Sequence, residues 1–176
     1  MKTQREGEGL KPVWKEFKIE EIFTISTGKR LTQADMKKGK KPFIGASDSN
    51  NGITAFVSNS NASQDKNVLG VNYNGSIVES FYHPYQCIFS DDVKRFKIKN
   101  RAGDKYLYLF LKQEILKQKE KYQYGYKFNE TRMRNQTIVL SSTEFEQPNY
   151  DYMRNYMRKI ETKLLARYVK YVEIIL

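Results

Sequence analysis

At the centre of the chain stands the segment Tyr122-Gln-Tyr-Gly-Tyr-Lys-Phe-Asn-Glu-Thr-Arg-Met-Arg134, which mixes aromatic rings with positive charges. Cations neutralise phosphates and aromatic faces stack on bases or sugars, so this mixture suits nucleic acid. An apolar run, Thr137-Ile-Val-Leu140, follows, and Gln147-Pro-Asn-Tyr-Asp-Tyr-Met153 then opens a long helical pattern. The stretch therefore predicts a surface for DNA that is joined to a helix for a partner.

The composition fits a folded, basic protein. With 176 residues, the chain is long enough for one domain and an appendage, and its 39% of hydrophobic residues can form a core. The formal net charge is +11, and the pI is about 9.6. A charge of this size favours an acidic partner, most often nucleic acid, although a generally basic surface can also serve solubility alone.

Several classes of protein are disfavoured by what the sequence lacks. One cysteine, Cys87, excludes a disulfide within the chain, and with the single His83 it leaves too few ligands for a Cys/His zinc site. We expect Cys87 to be a buried small side chain and His83 to be structural, in a loop. Neither a bilayer-spanning apolar run nor a signal-peptide core is found, so a cytoplasmic location is the simplest expectation.

The order of apolar segments predicts an α+β fold with a mixed, largely antiparallel sheet. Trp14, Phe17 and Ile19 alternate as in a strand, with Trp14 expected in the core, and short apolar pieces between turns continue from residue 53 to 96. Residues 105–122 change to a helical period whose apolar face includes Leu109. We expect a flexible tail over residues 1–13, a domain over 14–147 and a long C-terminal helix over 148–176.

Three further sets of residues are candidates for DNA contacts. The turn around Gly28 can present Lys29 and Arg30 outward. A basic run such as that from Lys37 to Pro42 is usually a solvated loop, and the high total charge favours the alternative that it follows a phosphate backbone. Asn50-Asn51-Gly52 is a strong turn signal, and amide side chains of this kind can also pair with adenine.

The final helix carries one continuous apolar stripe. Its members step by three or four residues and are Met153, Met157, Ile160, Leu164, Tyr168, Val172 and Ile175. The helix either folds back on its own domain or packs on another chain. A stripe of this length at the end of a chain favours packing on a partner, and we expect these residues to form that interface.

Signals for an enzyme are weak. A single histidine cannot complete a convincing Ser-His-Asp triad, and neither a cofactor-binding glycine motif nor a methyltransferase motif is found. Asp151 with Glu161 and Lys163 has the residue types of a metal-dependent nuclease. On a helix, however, the side chains of Glu161 and Lys163 point in different directions.

The chain resembles the specificity subunits of type I restriction–modification systems. The residues that carry the resemblance are Trp14 to Phe17, Glu21 to Ile25, Gly28 to Arg30, Pro42 to Gly45, Asn50 to Ile53, Gly75, Phe81-Tyr82, Tyr124 to Asn129, Arg132 to Arg134, Ile138 to Leu140 and Pro148 to Met153. One departure is Leu140-Ser141, where the family usually has Leu-Pro, so the exit from that strand is expected to differ.

This resemblance implies a division of labour. One target recognition domain reads half of a split double-stranded DNA site, and a spacer helix docks a methyltransferase subunit that carries S-adenosylmethionine and methylates adenine. Restriction subunits can join that complex. The chain resembles a half-subunit with one domain and one helix, which implies no catalysis and no cofactor of its own, and a homodimer through the C-terminal helix. The alternative is a stand-alone metal-dependent DNA endonuclease.

The expected DNA contacts combine the three sets above with the central segment. They are Lys29, Arg30, Lys40, Lys41, Asn50, Asn51, Tyr124, Tyr126, Lys127, Asn129, Arg132 and Arg134. Phe128 and Met133, which lie between them, are expected in the core.

Overall fold

The computed structural model describes residues 12–123 and 125–175. Within these residues the strands form three sheets, which are accompanied by four α-helices. The elements are β1 (Val13–Lys18), α1 (Ile19–Ile22), β2 (Phe23–Thr27), β3 (Lys38–Ile44), β4 (Ile53–Val57), β5 (Val68–Asn72), β6 (Ser80–His83), β7 (Ile88–Phe89), β8 (Val93–Ile98), α2 (Lys105–Leu116), α3 (Glu130–Asn135), β9 (Thr137–Ser142) and α4 (Tyr150–Ile175). The predicted α+β fold with a long C-terminal helix is confirmed.

A four-stranded antiparallel sheet forms the centre of the domain, in the order β2-β8-β5-β6. Phe96 on β8 is paired with Ile25 on one side and Leu69 on the other, and all three side chains are buried. Helix α2 contributes Leu107 and Leu111 to the same core. The period-two alternation of the strands and the apolar face of α2 therefore meet in one layer.

Helix α2 differs from the expectation at one position and at its end. Leu109, predicted on the apolar face, is largely exposed, because it lies on the opposite side of α2 from Leu107 and Leu111. The helix stops at Leu116, and a 3-10 turn over Lys119–Lys121 continues to Tyr122. At its start, the Asp104 carboxylate accepts hydrogen bonds from the backbone N–H groups of Tyr106 and Leu107 and so caps α2.

The basic run is part of a strand, so the prediction of a solvated loop was wrong. β3 pairs antiparallel with β4 and parallel with β7, which makes the second sheet mixed. Val57 on β4 lies opposite both Lys38 and Lys41, so the intervening residues form a bulge. A bulge can re-aim side chains, and here Lys40 is exposed at its outer side. The high density of lysines hid the alternation that marks this strand.

A two-stranded ribbon of β1 and β9 joins the two ends of the domain. Phe17 and Ile138 are directly opposite each other in this ribbon and are both buried. The expectation that Trp14 anchors the core was wrong: its side chain is 48% exposed and meets the ring of Tyr152 edge-on at 6.0 Å. On an edge ribbon only one face points inward, and Trp14 lies on the other.

Helix α4 divides into a docked half and a projecting half. Met153 is fully buried in the main core, and Met157 packs against it. Two polar contacts hold the same half: Arg154 Nε donates to Asp104 at 2.6 Å, and Glu161 accepts from Lys105 Nζ at 2.6 Å. The prediction of a partner interface was therefore wrong for Met153, because its side chain is buried in the core of its own domain.

Beyond residue 161 the helix leaves the domain. Leu164 is 58% exposed and Tyr168 is 64% exposed, whereas Val172 is half-buried. The predicted contact at Ile175 falls on a side chain outside the described part of the structure. At 1.5 Å per residue, the 14 residues from 162 to 175 extend for about 21 Å.

Candidate nucleic-acid interface

The central segment folds as a tight turn followed by α3. Backbone hydrogen bonds join Gln123 and Tyr126 in both directions, and a side chain at Gly125 would have no other atom within 4 Å. Phe128 and Met133 are fully buried, as predicted, and anchor the segment from below. The segment is therefore held at its base, while a side chain at Gly125 would enter open space. Tyr124, a predicted DNA contact, lies outside the described residues.

Aromatic rings and a guanidinium stack at this turn. The ring of Tyr126, 48% exposed, lies parallel to that of Tyr122 at 5.8 Å, and Arg132 Cζ is 3.6 Å from the Tyr126 ring centroid. Arg132 Nη1 also donates to the carbonyl oxygen of Lys127 at 2.7 Å. The Asn129 side chain accepts from the Arg132 backbone N–H at 3.0 Å and caps α3. The segment thus presents a fixed cation on an aromatic base.

Glu130 joins α3 to the central sheet. Its carboxylate accepts from Arg134 Nη2 at 2.6 Å and from Lys94 Nζ at 3.3 Å. The hydrogen bond from Arg134 is the largest influence that holds the pKa of Glu130 below its ordinary value, and Lys94 adds to it against the effect of burial. Lys94 Nζ also donates to Thr27 Oγ1 at 2.8 Å and lies 5.2 Å from the ring centroid of Tyr73.

These contacts bring the Gly28–Arg30 turn, directly after Thr27, to the same side as α3. Gly28 fits because a Cβ there would lie 1.8 Å from the carbonyl oxygen of Ser90, and the Lys29 N–H donates to the carbonyl of Phe89 at 2.8 Å. The Lys29 side chain is exposed, and Arg30 Nη1 lies 3.7 Å from Asp91. Two of the predicted sets therefore form one basic surface.

The other two predicted sets are not linked to α3 by any contact within the described residues. Lys40 is exposed on the β3 bulge, whereas Lys41 Nζ is held by the Asn59 carbonyl, Ser60 Oγ and Gln64 Oε1 at 2.6–2.9 Å. Asn50 and Asn51 form the expected turn, with φ of 49° and 54°. The Asn51 amide donates to Tyr85 Oη at 2.8 Å, and Asn50 is exposed.

Sequence reasoning missed Lys94 as part of this surface. The side chain is only 8% exposed, and its partners Thr27 and Glu130 are 67 and 36 residues away. No local pattern marks such a residue, since a lysine within β8 reads as an ordinary solvated position. Its role depends on the pairing of β2 with β8 and on the position of α3.

His83 and Cys87 are buried, and neither carries a charge at neutral pH. His83 lies at the end of β6, not in the predicted loop, because β6 pairs with β5 as far as Val68. Burial lowers the pKa of His83 to about 4 and raises the pKa of the Cys87 thiol to about 12. His83 Nδ1 lies 3.3 Å from Tyr85 Oη. Both residues are therefore uncharged at neutral pH and packed in the interior, and Cys87 is buried as predicted.

The residues of the nuclease alternative do not converge. The Glu161 carboxylate is occupied by Lys105 Nζ and by Tyr106 Oη, each at 2.6 Å, while Asp151 accepts from Arg154 at 2.8 Å. Within residues 12–123 and 125–175, no group of three or more His, Cys, Asp or Glu side chains is arranged to hold a metal ion. The endonuclease reading thus gains no support from the structure.

Comparison with known proteins identifies the family. The model of the type I restriction modification DNA specificity domain matches residues 13–167. The chain belongs to this family. This specificity domain is 59% identical over 154 residues to the specificity subunit S.BcgI of a type II restriction enzyme from Heyndrickxia coagulans. That match covers 88% of the chain and 45% of the relative, so the chain spans less than half of the relative's length.

Solved structures support the fold. The S subunit of a type I restriction–modification system from M. genitalium matches 91% of the specificity domain's chain with a TM-score of 0.62 at 16% identity, over 42% of its own length. The HsdS subunit from Thermoanaerobacter tengcongensis matches 93% of the chain with the same TM-score at 11% identity, over 41% of its own length. At these identities the likeness shows the fold alone.

Residues 13–167 of the chain therefore form a DNA specificity domain of the kind found in type I restriction–modification systems. In the described part of the chain, no helix combines the length and apolar character that a bilayer crossing requires.

Proposed function

We propose that this specificity domain reads one part of a bipartite double-stranded DNA target and directs a partner adenine methyltransferase to it. The observation that carries the proposal is the family match over residues 13–167 together with the 59% identity to a specificity subunit. S-adenosylmethionine is then bound by the partner, and this chain supplies recognition only.

The basic surface around α3 supports the DNA contact. Lys29 is exposed on this surface, and Lys40 is exposed separately, on the β3 bulge; neither has a carboxylate partner within the described residues. The net charge of +11 adds a general attraction for phosphate. Arg30 and Arg134, by contrast, form ion pairs with Asp91 and Glu130. Their positive charges are partly offset within the chain, so their contribution to DNA binding depends less on charge than on where the side chains lie. Phosphate contacts then hold the domain on the duplex while a few side chains reach the bases.

The projecting half of α4 supports a protein partner. Its exposed apolar side chains are Leu164, Leu165, Tyr168, Val169, Tyr171 and Ile174. Such an exposed apolar stripe on a helix that leaves its domain is typical of a helix-packing interface. We assign this half to a second copy of the chain and to the methyltransferase, with Ile160 at its inner edge.

A two-fold pair of chains would complete the target. In an antiparallel two-fold arrangement, the same face of each α4 helix packs against its partner, and the two domains lie at opposite ends. Two identical domains would then read an interrupted palindrome. The relative S.BcgI is named as part of a type II restriction enzyme, so DNA cleavage by the assembled complex is an open outcome of the same experiments.

The DNA part is tested with a library of randomised duplexes. The full chain, with and without the methyltransferase, is incubated with the library at several salt concentrations, and bound duplexes are sequenced. We expect one recurrent sequence and an affinity that falls steeply with salt, because phosphate contacts release counterions. Binding without any preferred sequence, or no binding in either form, would refute the proposal.

The partner part is tested by light scattering. We expect wild-type chains to form pairs, alone or with the methyltransferase, and the methylated site to have two-fold symmetry. A chain that stays single within the complex, or an asymmetric methylated site, would refute the two-fold arrangement while leaving DNA recognition intact. Added magnesium shows whether the complex also cleaves DNA.

A further inference from the structure

The guanidinium of Arg132 is held in place without being neutralised. It lies 3.6 Å from the ring centroid of Tyr126, and Nη1 donates to the Lys127 carbonyl at 2.7 Å. Within residues 12–123 and 125–175, no carboxylate forms an ion pair with it. Arg134, two residues further along α3, is bound to Glu130 at 2.6 Å instead. The two arginines of one short helix therefore differ in the charge that they can offer a ligand.

A guanidinium fixed in this way suits one kind of base contact. Arginine has five N–H donors in a planar fork, and the bond to Lys127 uses one of them. The fork matches the O6 and N7 acceptors that guanine presents in the major groove. Because the ring and the carbonyl already fix the side chain, little rotamer entropy is lost when a base is bound.

The neighbouring candidates have other tasks. The Tyr126 ring carries the guanidinium on one face and lies parallel to the Tyr122 ring, so it supports Arg132 more directly than it could stack on a base. The Asn129 side-chain oxygen accepts from the Arg132 backbone N–H, which fixes the start of α3. The Glu130 carboxylate accepts hydrogen bonds from both Arg134 and Lys94. Each of these contacts positions another residue.

We propose that Arg132 reads a guanine in the major groove of the target, and that Tyr126 and Asn129 position it. The inference rests on the proposed DNA recognition and names the specificity-determining residue of that surface. It separates Arg132 from Asn129 and Arg134, whose amide and charge are engaged within the chain.

The test uses the full chain with its methyltransferase and the duplex selected from the randomised library. Each guanine of the selected site is replaced in turn by 7-deazaguanine, which lacks the N7 acceptor. We expect wild type to lose affinity at one guanine only, by less than the about 5- to 150-fold of a whole bidentate contact, because the O6 acceptor remains. Arg132→Ala removes both hydrogen bonds, so it should lose a larger factor on the unmodified duplex and be indifferent to the modified guanine.

Three further variants separate a residue that reads the base from residues that only position it. Arg134→Ala, with the same change of charge on the same helix, should keep the wild-type response to 7-deazaguanine. Tyr126→Phe keeps the aromatic face beneath the guanidinium and should keep the response to 7-deazaguanine, whereas Tyr126→Leu should weaken discrimination at the guanine that Arg132 reads, with an unchanged melting temperature.

Three results would overturn the inference. Arg132→Ala could weaken all duplexes by one factor, which indicates a phosphate contact; it could have no effect; or Arg134→Ala could abolish the response to 7-deazaguanine. A wild-type chain that binds every duplex equally would instead refute the proposed function itself, so the two failures are distinguishable.

Discussion

The division of α4 into a docked and a projecting half can be tested by two matched substitutions. Met153 is fully buried in the main core, so Met153→Ala leaves a cavity and should cost about 2–5 kcal/mol of unfolding free energy. For a domain of this size, each kcal/mol lowers the melting temperature by about 2–4 °C. The expected fall is therefore about 4–20 °C, with DNA recognition unchanged at low temperature.

Leu164→Glu should have the opposite effect: it should leave the stability of the single chain almost unchanged and weaken the pairing of two chains. Its side chain is 58% exposed, so the unfolding free energy of the dilute single chain should change by less than about 0.5 kcal/mol, and the melting temperature should change correspondingly little. In a two-fold pair the substitution occurs twice, and each lost leucine removes about 1.5–3 kcal/mol of burial. The dissociation constant of the pair should then rise by about two orders of magnitude or more.

Calorimetry on dilute protein and light scattering over a range of concentrations measure the two effects separately, because assembly makes the melting temperature depend on concentration. A melting temperature that Met153→Ala leaves unchanged would show that α4 is not docked at this residue. A Leu164→Glu chain that melts as early as Met153→Ala at high dilution would show that the projecting half packs on its own domain.

Three further predictions concern charge. Burial lowers the pKa of His83 from 6.5 to about 4, so between these pH values the unfolded chain binds the proton more readily than the folded chain. The free energy of unfolding should therefore fall by about 1.4 kcal/mol per pH unit as the pH drops from 6.5 to about 4. In the His83→Gln variant, the denaturant midpoint should depend less on pH over this range. Burial raises the pKa of Asp104, but hydrogen bonds from Arg154 and from the start of α2 outweigh this effect and hold the pKa below 3.8. Asp104→Ala should cost about 0.5–2 kcal/mol of unfolding free energy at neutral pH, and the variant should lose less stability than wild type when the pH falls below 3.8. Lys40→Ala should weaken binding to all duplexes alike and lower the salt slope by about 0.9, whereas Lys41→Ala, whose ammonium is held within the chain, should lower thermal stability more than DNA affinity.

Much of the fold was predictable because its signals are local. The existence of a strand at β1, the helical period of α2 and the apolar anchors Phe128 and Met133 all follow from neighbouring residues. The family resemblance added the order of the parts, and the match over residues 13–167 confirms it. Local chemistry also explains the turn at Asn50-Asn51, where both residues adopt positive φ.

The remaining features depend on contacts between distant parts of the chain. The pairing of β1 with β9 decides which face of the ribbon points to the core, and therefore which side Trp14 lies on. Lys94 contacts Glu130 only because β8 and α3 lie close together in the fold. The docking of Met153 depends on α2, which lies about 40 residues earlier in the chain. The apolar stripe of α4 is uniform in sequence, so its pattern could not show where the domain ends and the projecting half begins.

Methylation mapping in cells tests the central claim most directly. The host's restriction–modification adenine methyltransferase is expressed with the full chain, without it, and with a chain that carries Arg132→Ala, and modified adenines are located by sequencing. The account predicts methylation at one recurrent bipartite sequence with the wild-type chain, none at that sequence without the chain, and relaxed choice at a single guanine with Arg132→Ala. The same methylated sites with and without the chain would contradict it.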